Sequence, residues 1–429
     1  MKKRISSSIV AALLCSAPVM AFAAPVTSMF DLTIGGFVKL DYAYNSVNFG
    51  QSGGLTPGPG AIAKRASAAG SQEQSIFTAR QSRLWFKASG PEFMGAKTNA
   101  LIEGDFYGDT AAPAESPQFR MRLAYGSLDW KNTQVLFGQN WDIFGPFVAS
   151  TVDFRSGATT GAPNNPRIPQ IRLTQKINFN ADNSLSLVLG VQDPNQDGNN
   201  NQTFTANTTT GAVATTAPTN YGAAVNGAGQ IMFSSKALGT APGYFGLPMK
   251  PLTLGVFGLY GNSKLASGAA ANHTIDSYGY GFYAFVPVLK SSDGKSRAMT
   301  MSLEGQVYQA ANMAFNSATA GTAFNAAAVM PNAAKGYGLG AQAIFYPTQE
   351  LGITAGFGRR GAVDYDHYAA SDFQKATTQF YGNASYDLNA AVRVMAEYQY
   401  METLYGKPTA GTHNVGSANV MRLAAFYFF

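Results

Sequence analysis

Apolar and polar residues alternate with a period of two through most of the chain beyond position 30. In LTIGGFVKLDYAY, Ile34, Val38, Leu40, Tyr42 and Tyr44 share one face, and Thr33, Lys39 and Asp41 share the other. SLSLVLGVQ, PLTLGVFGLY, AMTMSLEGQVYQ, AVRVMAEYQY and the closing NVMRLAAFYFF repeat the form. This period places alternate side chains on opposite faces of a strand. Sixteen such segments are predicted, near 32–44, 76–88, 97–107, 119–130, 133–142, 169–179, 184–192, 226–236, 251–261, 274–289, 297–310, 336–346, 350–359, 377–388, 391–404 and 417–429. The alternation is most blurred over 221–236.

The links between segments sort by parity. Long stretches rich in polar or small residues follow the odd segments, as in GQSGGLTPGPGAIAKRASAAGSQEQ. Short links such as DWKN, NADN, SSDGKS, PTQE and LN follow most even ones, and the link near 237–250 is the exception. A soluble sandwich has no reason to sort its loops this way. A membrane barrel has short turns at its periplasmic end and longer loops outside. Backbone groups in hydrocarbon must all be paired, so such a sheet closes on itself. The fold class expected is therefore all-β, a sixteen-stranded antiparallel transmembrane barrel with apolar residues outward and polar residues inward. Both chain ends then fall on the short-turn side.

Composition supports this. Charged residues are 13% of the chain, about half the usual ~25% of a soluble domain. No run of 18 apolar residues predicts a membrane-spanning helix. MKKRISSSIVAALLCSAPVMAFAAP has a basic start, an apolar stretch and Ala21-Phe22-Ala23, which predicts a signal peptide over 1–23 and a barrel over 24–429. Its loss lowers the formal charge from +6 to about +3, too mild to argue for nucleic acid. Cys15 is the sole cysteine and lies in that leader, so neither disulfides nor thiolate chemistry are expected in the exported protein.

RQSRLWFKASG, LIEGDFYG, FRMRLAYGSLDW, VLFGQNWDIFGP and the aromatic last strand, in that order, give a resemblance to the sixteen-stranded bacterial outer-membrane porins, in texture the DcaP-like branch. It covers essentially the whole mature chain. The resemblance implies a homotrimer in the outer membrane, in contact with lipid and lipopolysaccharide. It also implies that Phe429 is a signal for the barrel-assembly machinery and that the third external loop folds into the lumen. The chain departs from the DcaP-like pattern in lacking an N-terminal helical extension, and from enteric porins in lacking a PEFGG-type loop tip.

The inward parity of the early strands is charged. Arg83 falls on the second segment, Glu103 and Asp105 on the third, Arg120 and Arg122 on the fourth, and Arg172 and Lys176 on the sixth. One reading is cross-strand pairing that only stabilises the wall, about 0.2–1 kcal/mol per pair. The other is a pore constriction with a basic excess, where charged rings select ions. The candidate inward loop, 143–168, carries Asp153, Arg155 and Arg167, with Asp142 just before it. Trp141, Phe144, Pro146 and Phe147 would fasten its start to the wall.

Signals for catalysis are weak. His273, His367 and His413 fall in predicted external loops without an aligned Ser and Asp. GFGRRG matches a dinucleotide fingerprint, but no amphipathic helix follows. DPNQDG has calcium-loop spacing, yet Phe204 stands where a bidentate Glu is needed. No cofactor and no catalysis are expected. The function expected is diffusion of small hydrophilic, anionic solutes through a water-filled barrel. The alternatives are a receptor or adhesin binding a partner through its external loops, and a barrel-borne hydrolase.

Overall fold

The computed structural model describes residues 30–49, 62–108, 117–153, 161, 167–193, 203–206, 213–216, 225–264, 274–311, 335–363, 373–406 and 413–429. The expected signal peptide, Arg155, His273 and His367 lie outside the described residues. The strands are β1 (Asp31–Asn45), β2 (Gln74–Thr78), β3 (Arg83–Phe93), β4 (Ala96–Asp105), β5 (Arg120–Asp129), β6 (Thr133–Trp141), β7 (Arg167–Asn178), β8 (Asn183–Gln192), β9 (Thr203–Ala206), β10 (Val213–Thr216), β11 (Asn226–Pro242), β12 (Met249–Lys264), β13 (Thr274–Leu289), β14 (Thr300–Ala311), β15 (Lys335–Tyr346), β16 (Leu351–Val363), β17 (Phe373–Asp387), β18 (Val392–Gly406) and β19 (Val415–Phe428).

All but β9 and β10 belong to one antiparallel sheet, and from β3 onward each strand pairs with the next in sequence, β8 passing directly to β11. β1 closes the ring against β19, with Phe37 opposite Phe428 and Asn45 opposite Val420. On its other edge β1 pairs with β3 through Phe37 and Arg83, then with β2 through Asp41 and Thr78. β2 and β3 are thus one strand broken at residues 79–82, and the barrel has sixteen staves. β9 and β10 form a separate hairpin that the periodicity did not predict.

The single expected segment 76–88 breaks because Ala79–Ser82 turns inward, with the Ser82 amide donating to the Ala79 carbonyl at 2.9 Å. Ser82 Oγ replaces the lost ladder partner by accepting from the Lys39 amide at 3.0 Å. Arg80 and Gln81 are thereby buried inside the barrel.

The outer face is apolar: Ile34, Val38, Leu40, Ile102, Ile171, Leu189, Val256, Leu303, Val307 and Leu423 are all exposed. The same strands turn Lys39, Asp41, Asp105, Gln306 and Arg422 inward. The inner wall is not uniformly polar, however. Phe257, Tyr283, Phe285 and Tyr308 face inward on β12–β14 and form an apolar cluster with Ile143, Phe144 and Phe147. A chain segment laid across the lumen needs an apolar seat, and these residues supply it.

Candidate functional site: a strap and a charged ladder in the lumen

The chain leaves β6 at Trp141 and turns into the barrel. Asp142 accepts a hydrogen bond from the Phe144 amide at 3.0 Å, which fixes the turn. The Phe144 ring stands edge-on to Phe257 and Tyr308, with centroids 4.9 and 5.7 Å away. From there the backbone runs along the inner wall as a strap. It cannot join the sheet ladder, so its polar groups need other partners. The inward side chains of successive strands provide them. Gln306 of β14 accepts from the Phe147 amide at 3.1 Å. Gln342 of β15 accepts from the Ser150 amide at 2.8 Å and donates to the Val148 carbonyl at 3.1 Å. Asn383 of β17 donates to the Ser150 carbonyl, Glu397 of β18 accepts from the Val152 amide, and Lys39 of β1 donates to the Val152 carbonyl.

The strap's far end rests on a buried charge cluster. Lys39 Nζ lies 2.8 Å from Asp41. Arg422 lies 3.2 Å from Glu397 and 3.7 Å from Asp153. Gln81, delivered by the strand break, donates to Asp153 at 2.5 Å.

On the adjoining strands β3–β5, Arg83, Glu103, Arg122, Asp105 and Arg120 make a ladder. Their successive contacts are 3.7, 2.7, 2.7 and 2.9 Å. Trp141 carries Arg122 and Arg167 on its ring at 5.5 and 5.4 Å, so an aromatic holds two guanidinium groups in place. Between strap and ladder lies a cavity of about 450 Å³. Arg83, Arg122, Asp142 and Asp153 line it, together with Tyr244, Lys250 and Glu304. Lys250 Nζ is 3.0 Å from Glu304. Burial pushes the Asp142 carboxyl up to about 6, partly offset by the Phe144 amide. Burial also raises the Tyr244 phenol, offset by Arg83 and Arg122.

No family model matches the sequence, and no curated protein matches it. Solved structures do match. The outer membrane channel DcaP of Acinetobacter baumannii superposes with a TM-score of 0.66 at 16% identity, covering 94% of this chain and 98% of that one. An anion-selective porin from Comamonas acidovorans gives 0.55 at 12% identity, covering 93% and 100%. The trimer form of OmpT, an outer membrane protein of Vibrio cholerae, gives 0.51 at 12% identity, covering 94% and 100%. This chain has the porin fold.

Within that fold the predicted residues do not all meet. Arg83, Glu103, Asp105, Arg120 and Arg122 form the ladder, and Asp142 and Asp153 share a cavity with two of its arginines. Each guanidinium group of the ladder lies against a carboxylate. Three arginines nonetheless share two carboxylates. Arg167 is the first residue of β7, not part of the preceding loop, because it pairs across from Trp141. Arg172 sits half-buried further along β7. Lys176 is exposed beside the short turn, its amide bonded to the Asn132 carbonyl at 2.7 Å. Phe429 pairs with Gly36 across the closing seam through two backbone hydrogen bonds.

Sequence reasoning missed Gln81, Tyr244, Lys250, Glu304, Glu397 and Arg422. Glu304, Glu397 and Arg422 lie on inward parity in strands already predicted, so that parity was their available signal.

Proposed function

We propose that the protein is an outer-membrane diffusion pore for small hydrophilic solutes, with a mild preference for anions and no catalytic role. The carrying observation is the strap tied along the inner wall, which leaves a small cavity faced by the arginine ladder. An apolar exterior around a charged, partly filled interior suits a water path through lipid. The excess of one arginine in the ladder, with Arg172 beyond it, supports the anion preference. The likeness to an anion-selective porin and to a trimeric outer membrane protein supports the same reading and a homotrimer. Arg83, Glu103, Asp105, Arg120, Arg122, Asp142, Asp153, Arg155, Arg167 and Arg172 are the proposed constriction set. Phe429 is the proposed assembly signal.

Purified protein in planar bilayers tests the reading. Stepwise conductance is expected, with a reversal potential in a salt gradient that favours anions. A receptor or adhesin would give no such steps. The variant Arg83→Gln/Arg172→Gln should move the reversal potential toward cations. Arg122 is spared because it is buried against two carboxylates, and removing one partner of a buried pair costs about 3–5 kcal/mol. An unchanged reversal potential in a normally folded double variant would remove these arginines from the path.

A further inference from the structure

The exceptional link near 237–250 is not a surface turn. β11 bulges after Ser235 and pairs with β12 again only at Thr240–Pro251, Ala241–Lys250 and Pro242–Met249. This second short ladder curls under the barrel. Ser302 of β14 donates to the Pro242 carbonyl at 2.8 Å. The Gly246 backbone abuts Tyr346 of β15 and Arg297. Phe245 packs with Val152 of the strap and Met395, Ala424 and Phe426 of β18 and β19. Its carbonyl faces Arg393 of β18 at 3.4 Å, and its amide faces Ser150 of the strap at 3.4 Å. A hairpin rooted in β11 and β12 therefore reaches strands β18 and β19 several staves away and meets the strap from the short-turn side.

This crossing puts Tyr244 into the lumen. Its ring stands edge-on to Phe245 at 4.5 Å, and it lines the same cavity as Arg83 and Arg122. Lys250, at the root of the hairpin, lines that cavity too. Strap and hairpin thus approach one cavity from opposite ends of the barrel.

We propose that the hairpin Thr240–Lys250 is a second constriction element, and that Tyr244 sets the size of the solute path from the periplasmic side. The inference rests on the pore reading above and adds that the path is narrowed by two transverse segments. A solute leaving the arginine ladder must pass the Tyr244 ring before it reaches the periplasm.

Single-channel recording tests this. Tyr244→Ala should raise conductance by roughly 1.5-fold or more, since a large side chain leaves a narrow water path. Tyr244→Phe, which keeps the ring, should conduct as the wild type does. Tyr244→Cys should lose current when modified by a negatively charged methanethiosulfonate reagent. Lys295→Cys, in an exposed turn at the same end, should keep its current after modification. Wild-type conductance in Tyr244→Ala, with full current in modified Tyr244→Cys, would overturn the inference while leaving the pore reading intact. Current in Tyr244→Ala but none in the wild type would support the hairpin's role and overturn the open-pore reading. Silence from both proteins would overturn both. The cysteine variant keeps the test decisive should Tyr244→Ala fail to fold.

Discussion

At the scale of single residues, Asp142 is a group able to make the cavity respond to pH. Burial raises its carboxyl to about 6 from an ordinary 3.8, and the Phe144 amide offsets only part of this. A raised carboxyl pKa means the folded protein holds its proton more tightly than the unfolded chain does. Ionised Asp142 therefore costs stability, a cost absent below the unfolded value, growing between about 4 and 6, and constant above. The same titration changes the charge of the cavity that Asp142 lines together with Arg83 and Arg122. Acidification from about pH 7 to about pH 5 should protonate most of Asp142 and strengthen anion preference. Asp142→Asn should show the acid-form selectivity already at neutral pH and a flatter profile below it. Reversal potentials of both proteins across that range check this; an equal pH response in the two would assign it elsewhere. The early ladder was legible in the sequence because Arg83, Glu103, Asp105, Arg120 and Arg122 come from consecutive strands, so neighbour pairing alone brings them together. Arg422, Glu397 and Asp153 were not. Their meeting depends on a loop reaching strands more than two hundred residues later, and no local pattern encodes that.

At the scale of elements, the strands and an inward loop over 143–168 were expected, but the strap's polar anchors on the wall and the hairpin 240–250 were not. Period-two alternation fixes which face of β14 is wet, but it does not say that Gln306 will bond to a loop amide. Phe144 and Phe147 were expected to fasten the loop, but their seat, Phe257 and Tyr308, is equally silent, because inward aromatics in a barrel make sense only once something covers them. Two glycines make room for this seat. A Cβ on Gly279 would stand 2.7 Å from the Phe144 ring, and one on Gly340 would stand 2.9 Å from Phe147. Neither position has a left-handed backbone, so a β-branched residue suits the strand itself and conflicts only with the strap. Gly279→Val/Gly340→Val should fold as a barrel but displace the strap, at a cost of about 0.5–1.5 kcal/mol for each aromatic pair lost. The expected result is a noisier current of altered mean conductance, with a gel migration typical of folded barrel. A quiet, wild-type current would mean that polar anchors such as Gln342 and Asn383 hold the strap without the aromatics. The hairpin 240–250 left one trace in the sequence, a link too long for its parity. Its destination across the barrel could not be read from length alone.

At the scale of the whole molecule, orientation follows from which end carries the long loops. Links 94–95, 130–132, 179–182, 347–350 and 388–391 cluster at one end, and the strand ends between which the chain runs through 46–73, 193–225 and 312–334 lie at the other. Short turns belong on the periplasmic side, where a barrel inserted from within need carry nothing bulky across the bilayer. Positions on the long-loop end should then face the medium. His413 is exposed at that end, and Thr205 lies in the separate β9–β10 hairpin. Lys295 and Asn389 are exposed at the other end. A small thiol reagent would be ambiguous, since it can pass through the pore and label from within. A polyethylene-glycol maleimide of several kilodaltons is far larger than a cavity of about 450 Å³ and cannot pass. The single native cysteine, Cys15, lies in the expected leader, whose removal would leave no background thiol. His413→Cys and Thr205→Cys should therefore be labelled on intact cells, and Lys295→Cys and Asn389→Cys only after permeabilisation. Labelling of the second pair on intact cells, with protection of the first, would invert the barrel. It would also turn the hairpin from the inner mouth of the pore to the outer one.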